Sequence, residues 1–424
     1  MWNSTRKGKG RLFLLFLTNL ALLPAWVLAQ EEDKTKEQIL AVFHPYEQRM
    51  PQVTGITPGM TIDKTNFQVA QEVLPPEILK YLQAGDFTIT VQETTDLPPR
   101  EEYLKATLEH YARVELGDGE LKNYMAGLPF PLIDPQDPQV GLKVAWNYRY
   151  RDRGETMQNW PTSSLITSSG SVERSTKFYN VSQYGMHRPR PEANLPAWEK
   201  EGIFYKSYTR MLAPSDVEGS QALGNFYDKD TLTHAQWVYD PKTRRIRKVV
   251  YNLYQASDGM DYLIEDWGGF NGYIHVYEWK YLGEKIVLAP GLIKTAEPKL
   301  GGRGNWYPAD PWELRKAVVL EAIPKESHPV YGRRVLYVDL QTCWIPYSLA
   351  FNREGEHFRT FFMMHRNPEF SPENQGIRIP ILAAQSSIDY HTERAALFAT
   401  HKVIYNQPLE EKMFETGALM RQGK

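Results

Sequence analysis

Residues 273–282 read Tyr-Ile-His-Val-Tyr-Glu-Trp-Lys-Tyr-Leu. His275, Tyr277, Trp279 and Tyr281 share one face of an extended chain, and Glu278 and Lys280 lie on the other. This period of two predicts a half-buried strand. Gly283-Glu284 then predicts a turn into a second strand over 285–288. Upstream, 236–239 and 245–249 are strand-like and flank Asp240-Pro241-Lys242-Thr243. Pro presets one dihedral of such a turn and Asp caps its backbone. Downstream, 334–339, 344–351 and 357–364 form a meander, and 385–390 with 394–399 a last hairpin. Short strands joined by hairpins predict an antiparallel sheet rather than βαβ units. Residues 141–151, 171–183 and 204–212 read as further strands; in the first, Leu142, Val144, Trp146, Tyr148 and Tyr150 alternate.

The region over 32–124 has a different texture. Residues 32–43 predict a charged helix. Residues 76–84 predict a short one, with Pro76 in the first turn and Gly85 as its stop. Residues 99–116 predict a third, with Glu101 and Glu102 favoured by the helix dipole. A strand is expected over 87–92. The whole reads as one domain over 30–424: a helical N-terminal part over about 32–124 and a sheet over about 140–400.

Arg6, Lys7, Lys9 and Arg11 precede an apolar run over 12–23, then Pro24 and Val27-Leu28-Ala29. This is the pattern of a signal peptide over 1–29, with cleavage expected after Ala29 and the mature chain exported to the periplasm. Gln30 stands where a lipoprotein needs cysteine, so no lipid anchor is expected there. The one cysteine, Cys343, makes no internal disulfide, and the core must hold the fold. A net charge of −2 argues against nucleic acid as a partner.

Catalytic signatures are missing. There is no phosphate loop ending in Lys-Ser/Thr, no HExxH and no GxSxG. Asp258, Asp261, Glu265 and Asp266 cluster around Gly259, but without the spacing of a calcium loop; a solvated hairpin end or ion-pair partners are expected. No catalytic residue, metal ligand or cofactor is assigned, and the chain is read as a non-enzyme. The 25 Tyr, 17 Phe and 11 Trp suggest instead an aromatic sheet face, either packed core or the wall of an apolar groove. The groove candidates are Tyr277, Trp279, Tyr281 and His275, with Phe361 and Met363 on the same surface and Phe130 in a rim over 127–131.

Several segments together resemble a family of proteobacterial periplasmic proteins of unknown function, described as outer-membrane lipoprotein-sorting-like. They include Tyr124-Met125-Ala126-Gly127-Leu128-Pro129-Phe130-Pro131, Gly141-Leu142-Lys143-Val144-Ala145-Trp146-Asn147, Tyr277-Glu278-Trp279-Lys280 and His328-Pro329-Val330-Tyr331-Gly332-Arg333-Arg334. Taken in order, the matching segments cover most of the mature chain. The resemblance implies a mainly β, α+β fold similar to LolA and LolB: a curved antiparallel sheet forming an incomplete β-barrel that wraps helices. It further implies a carrier or chaperone for a lipid or other hydrophobic molecule. Its implied partners are a resistance-nodulation-division type exporter and an outer-membrane β-barrel protein. An adaptor between exporter and outer-membrane protein is the alternative, and a periplasmic hydrolase stands last. The chain departs from the family at Val287-Leu288-Ala289-Pro290-Gly291, where a tyrosine-asparagine end is expected. It is also roughly twice as long as a LolA-type domain, so lipoprotein carriage is not carried over directly.

Overall fold

The computed structural model describes residues 25–47, 49–256 and 260–421. The expected export segment, as far as residue 24, lies outside the described residues. Thirteen strands build one antiparallel sheet. The first six are β1 (Thr156–Thr167), β2 (Val172–Tyr184), β3 (Ile203–Ala213), β4 (Gln221–Tyr227), β5 (Ala235–Asp240) and β6 (Arg245–Val250). The other seven are β7 (Tyr277–Pro290), β8 (Trp312–Pro324), β9 (Arg333–Asp339), β10 (Tyr347–Phe351), β11 (His357–Arg366), β12 (Ile381–Asp389) and β13 (Arg394–Tyr405). Their order across the sheet is 6-5-4-3-2-1-13-12-11-10-9-8-7. Two meanders therefore meet edge to edge where β1 pairs with β13.

β6 and β7 lie at opposite edges and do not pair, so the sheet stays open. It also curls. Just past β7, Ile293 donates to the His365 carbonyl at 2.8 Å and bridges Arg366 at the end of β11. In a flat sheet those strands, four places apart, would be about 19 Å from one another. The chain from β6 to β7, residues 251–276, must cross from one edge of the sheet to the other. It does so over the sheet's face.

Both faces of the second meander are covered. Alternate residues of β9 go opposite ways: Val335 and Tyr337 into one core, Leu336 and Val338 into the other. Phe361 and Phe362 on β11 divide in the same manner. The first core is closed by residues 56–91, including helix α2 (Pro76–Ala84; the preceding α1 is Ala25–Phe43), which buries Ile78 and Leu82. Its boundaries match the sequence reading: Pro76 opens it, and Gly85 stops it in the left-handed region at φ 84°, where glycine carries no Cβ penalty. The second core is closed by helix α4 (Val140–Arg149) and the crossover; α3 (Glu101–His110) precedes it.

Several local expectations are corrected. Residues 141–151 form α4 and not a strand. Alternation there coincides with helical spacing, since Val140, Val144 and Tyr148 recur every four residues, and burial around most of the helix hides its period. Asp137 supplies the start signal by accepting the Gln139 amide at 2.7 Å. Gly283-Glu284 is a bulge and not a turn. Tyr281 faces Leu320 and Glu284 faces Val318, so two residues oppose one and β7 continues unbroken. The third helix ends at His110, and the strand expected over 87–92 shrinks to Ile89–Thr90. β1, β4 and β8 were not foreseen. β8 is buried on both faces, with Glu313 and Arg315 buried beside the apolar residues 317–320, so its sequence shows no alternation.

Candidate ligand cleft beneath the crossover

The crossover is fastened to the sheet by a buried charged cluster. Glu265 and Asp266, both fully buried, sit in a kinked turn over Ile264–Gly269. Arg334 of β9, also fully buried, approaches Asp266 at 3.0 Å and donates to the Gly269 carbonyl at 2.7 Å. Tyr331 donates to Asp266 at 2.7 Å. His328 accepts the amides of Val330 and Tyr331 at Nδ1, so its Nε2 proton goes to Glu265, 2.7 Å away. Tyr277 donates to the other Glu265 oxygen at 3.0 Å. Burial pushes the Asp266 carboxyl up, against the pull of Arg334. Glu265 and Asp266 are thus not a solvated hairpin end but internal ion-pair partners. Asp258 and Gly259 lie outside the described residues.

Helix α4 is pressed into the angle between β7 and the crossover. A Cβ on Gly141 would stand 2.5 Å from the Trp279 carbonyl oxygen, so only glycine allows the helix this close. Tyr148 donates to the Phe270 carbonyl at 2.7 Å. Asn147 brackets Phe130 on the opposite side, accepting its amide and donating to its carbonyl. At the helix end, Arg149 donates to Asp230 at 2.6 Å and to the carbonyls of Tyr227 and Asp228. Asp230 also receives the backbone and ring N–H of His275. Nearby, burial would raise the Asp228 carboxyl, but His187, Tyr150 and Arg149 outweigh it and hold it at about 2.

These fixed points leave a cleft between the end of α4, strands β3 and β4, and residues 270–274 of the crossover. It is narrow: its free space is about 40 Å³, room for a few waters. Its wall is aromatic. Tyr205 and Phe226 face one another in the register of β3 and β4 and stack with centroids 4.2 Å apart. Tyr251 meets Phe226 edge-on at 5.3 Å, and Phe270 closes the crossover side. His234 accepts the Tyr227 amide at Nδ1; burial, helped by Arg149, lowers its pKa to about 3 and keeps it neutral. Arg149 is neutralised by Asp230. Arg153 is the remaining cation of the wall.

The residues singled out from sequence sit around this cleft rather than in its wall. Tyr277 and Trp279 both pack edge-on against Phe270, at 5.4 and 5.2 Å, on the side away from the cleft. Trp279 is half-buried and donates to the Ile274 carbonyl at 2.9 Å; Tyr281 is half-buried further along the same face. His275 is bound to Asp230. Phe361 and Met363 are fully buried beneath the Gly269 turn, Phe361 under the Arg334 guanidinium at 5.2 Å. Phe130 lies on the other side of α4. Tyr205, Phe226, Tyr251, Phe270 and Arg153 were not singled out. The available signal was Trp267-Gly268-Gly269-Phe270-Asn271-Gly272, where glycines crowd an aromatic ring in the long connection between two meanders.

The sequence matches a family model described as a protein of unknown function, DUF1329, over residues 61–420. An uncharacterized protein of Pseudomonas aeruginosa is 27% identical over 248 residues, which are 54% of this chain and 50% of that protein. The chain thus spans about half the length of that relative. Among solved structures, a DUF1329 family protein from Desulfovibrio piger is similar with a TM-score of 0.48 at 17% identity, over 67% of this chain and 100% of that one. A domain from Vibrio parahaemolyticus described as outer membrane lipoprotein-sorting gives a TM-score of 0.47 at 17% identity, again over 67% of this chain and 100% of that one. Among the described residues, no helix is long and apolar enough to cross a membrane.

Proposed function

The chain belongs to the DUF1329 family of proteins of unknown function, and from that premise we propose that it is a non-enzymatic carrier of a lipid or lipid-like molecule in the periplasm. The observation that supports this is the aromatic cleft beneath a crossover that is anchored on either side of it, by the buried charges over 264–269 and by His275 on Asp230. Between these anchors, 270–274 rest on rings and on two side-chain donors, Tyr148 to the Phe270 carbonyl and Trp279 to the Ile274 carbonyl. Gly268 and Gly269, at φ 62° and 90°, and Gly272 give that stretch the backbone freedom to lift. An apolar body would enter by parting Phe270 from Tyr205 and Phe226. Its burial would contribute about 25 cal/mol per Å² of apolar surface, less ordering costs. Trp279 and Tyr277 would act from behind, as the support of Phe270. An exporter of the resistance-nodulation-division type and an outer-membrane β-barrel would then be the natural donor and acceptor.

The test is extraction of gently purified exported protein, followed by lipid mass spectrometry. A stoichiometric hydrophobic molecule, lost in Tyr205→Ala, is expected. Protein that is clean and takes nothing from membrane vesicles would overturn the carrier reading. A second reading, an adaptor without cargo, is favoured by one observation: Tyr277, Phe361 and Met363 are buried as packed core of the sheet interior. The clean outcome would select it.

A further inference from the structure

Arg153 follows α4 and lines the cleft. Nearly every other arginine of this region has a carboxylate: Arg100 meets Asp152, Arg149 meets Asp230, and Arg188 and Arg190 approach Glu155. Among the described residues, no carboxylate lies within 4.0 Å of Arg153, and its buried Nε has no hydrogen-bond partner. Its neighbours are the phenols of Tyr148, Tyr184 and Tyr205, and Tyr184 shares a hydrogen bond with it. Arg151, two residues earlier, also lacks a carboxylate, but it is sandwiched between Tyr148 and Trp344 at 3.9 and 4.2 Å and so has a role in packing. An unpaired guanidinium is expensive to desolvate, and keeping one in the wall of an aromatic cleft calls for a counter-charge from outside the chain.

We propose that the cargo of this cleft is an anionic amphiphile, with a single negative head group bound by Arg153 and an apolar body against Tyr205, Phe226 and Phe270. The free space of about 40 Å³ suits a head group of carboxylate or sulfonate size without rearrangement. The apolar body is the part that must part the rings. Guanidinium offers paired donors to such an oxyanion, and charge-assisted bonds of this kind are among the strong ones. Arg149 stays on Asp230, and His234 is neutral, so the cleft offers one net positive charge and selects one negative one. The inference rests on the carrier reading and names the chemistry of what is carried.

Two fluorescent probes with nearly the same aromatic body test it: anilinonaphthalene sulfonate, which is anionic, and phenylnaphthylamine, which is neutral. Both are expected to bind the wild-type protein. Arg153→Met is expected to weaken the anionic probe by about tenfold or more and to leave the neutral probe unchanged, while Arg153→Lys keeps most of the anionic affinity. An unchanged thermal transition and unchanged neutral-probe binding certify that the variants are folded. Equal effects on both probes, or none on either, would overturn the anion assignment while leaving the carrier reading intact. Displacement of the anionic probe by millimolar inorganic phosphate would overturn the amphiphile in favour of a free anion. Failure of the wild-type protein to bind either probe would remove the carrier reading itself.

Discussion

Arg334→Met should be among the most costly single changes in this protein. The guanidinium is fully buried. It lies 3.0 Å from Asp266 and 3.9 Å from Glu265, and it donates to the Gly269 carbonyl. It also faces the rings of Tyr331, Phe361 and Phe270 at 5.1 to 5.4 Å. Methionine fills much of the same volume, so the cavity contribution is small. What remains is a buried carboxyl without its cation, while the Gly269 carbonyl keeps the Ser348 hydroxyl as a donor at 2.9 Å. Breaking a buried pair by removing one partner costs about 3–5 kcal/mol. Against a total stability of about 5–15 kcal/mol, that is a large share. Urea unfolding followed by circular dichroism measures it, provided the slope with denaturant is unchanged. The Asp266→Asn partner completes a double-mutant cycle, and a coupling above about 1 kcal/mol is expected for groups in direct contact. A loss under about 1 kcal/mol in Arg334→Met, with no coupling to Asp266→Asn, would refute the idea that charge fastens the crossover to the sheet.

Three more outcomes rest on particular contacts. Gly141→Ala sets a methyl against the Trp279 carbonyl at 2.5 Å; displacement of α4 should cost about 1–3 kcal/mol in thermal or urea unfolding, and a neutral result would mean the helix is not seated on β7 as described. Trp279→Ala removes the prop behind Phe270 and the bond to Ile274, and should weaken retention of an apolar probe more than it weakens folding; equal losses would make Trp279 plain core. Stability should also fall in acid. Burial first, and then nearby Arg149, Lys80 and Arg151 respectively, lower His234, His357 and His365 to about 3, while unfolded histidine titrates near 6.5. Below about pH 6.5 the unfolded chain therefore binds more protons, and each histidine takes away about 1.4 kcal/mol per pH unit down to its folded value. His187, whose pKa Asp228 raises against the effect of burial, works the other way: its stabilisation is complete below about pH 6.5 and is lost as pH rises through its folded value. Urea midpoints from about pH 9 to about pH 4 check both signs, and a flat profile would contradict them.

The architecture was legible where one face of a strand meets solvent or a turn has its own chemistry. The β5–β6 hairpin across Asp240-Pro241-Lys242-Thr243 was readable because Asp240 accepts the Lys242 amide and the Thr243 hydroxyl. Helix α2 was readable because Pro76 and Gly85 mark its ends. α4 and β8 were not, because both are buried nearly all round: α4 lacks a solvated face to define its period, and β8 buries Glu313 and Arg315 as ion-pair partners among its apolar residues. The cleft was not legible either. Its wall depends on the register that sets Tyr205 opposite Phe226 and on a crossover that brings Phe270 across the sheet, and neither is written in local spacing. Sequence alternation led to Tyr277 and Trp279, one layer behind the ring that faces the space. For Glu265 and Asp266 a solvated hairpin end and ion-pair partners stayed open in the sequence, because the partners, His328 and Arg334, lie more than sixty residues away.

The most direct test of a ligand cleft beneath the crossover is amide hydrogen exchange with and without a bound apolar probe. Protection is expected in residues 268–276, at 204–205 and 226–227 on the facing strands, and at the end of α4. Unchanged exchange there, or protection confined to the opposite face built by residues 56–91, would contradict it.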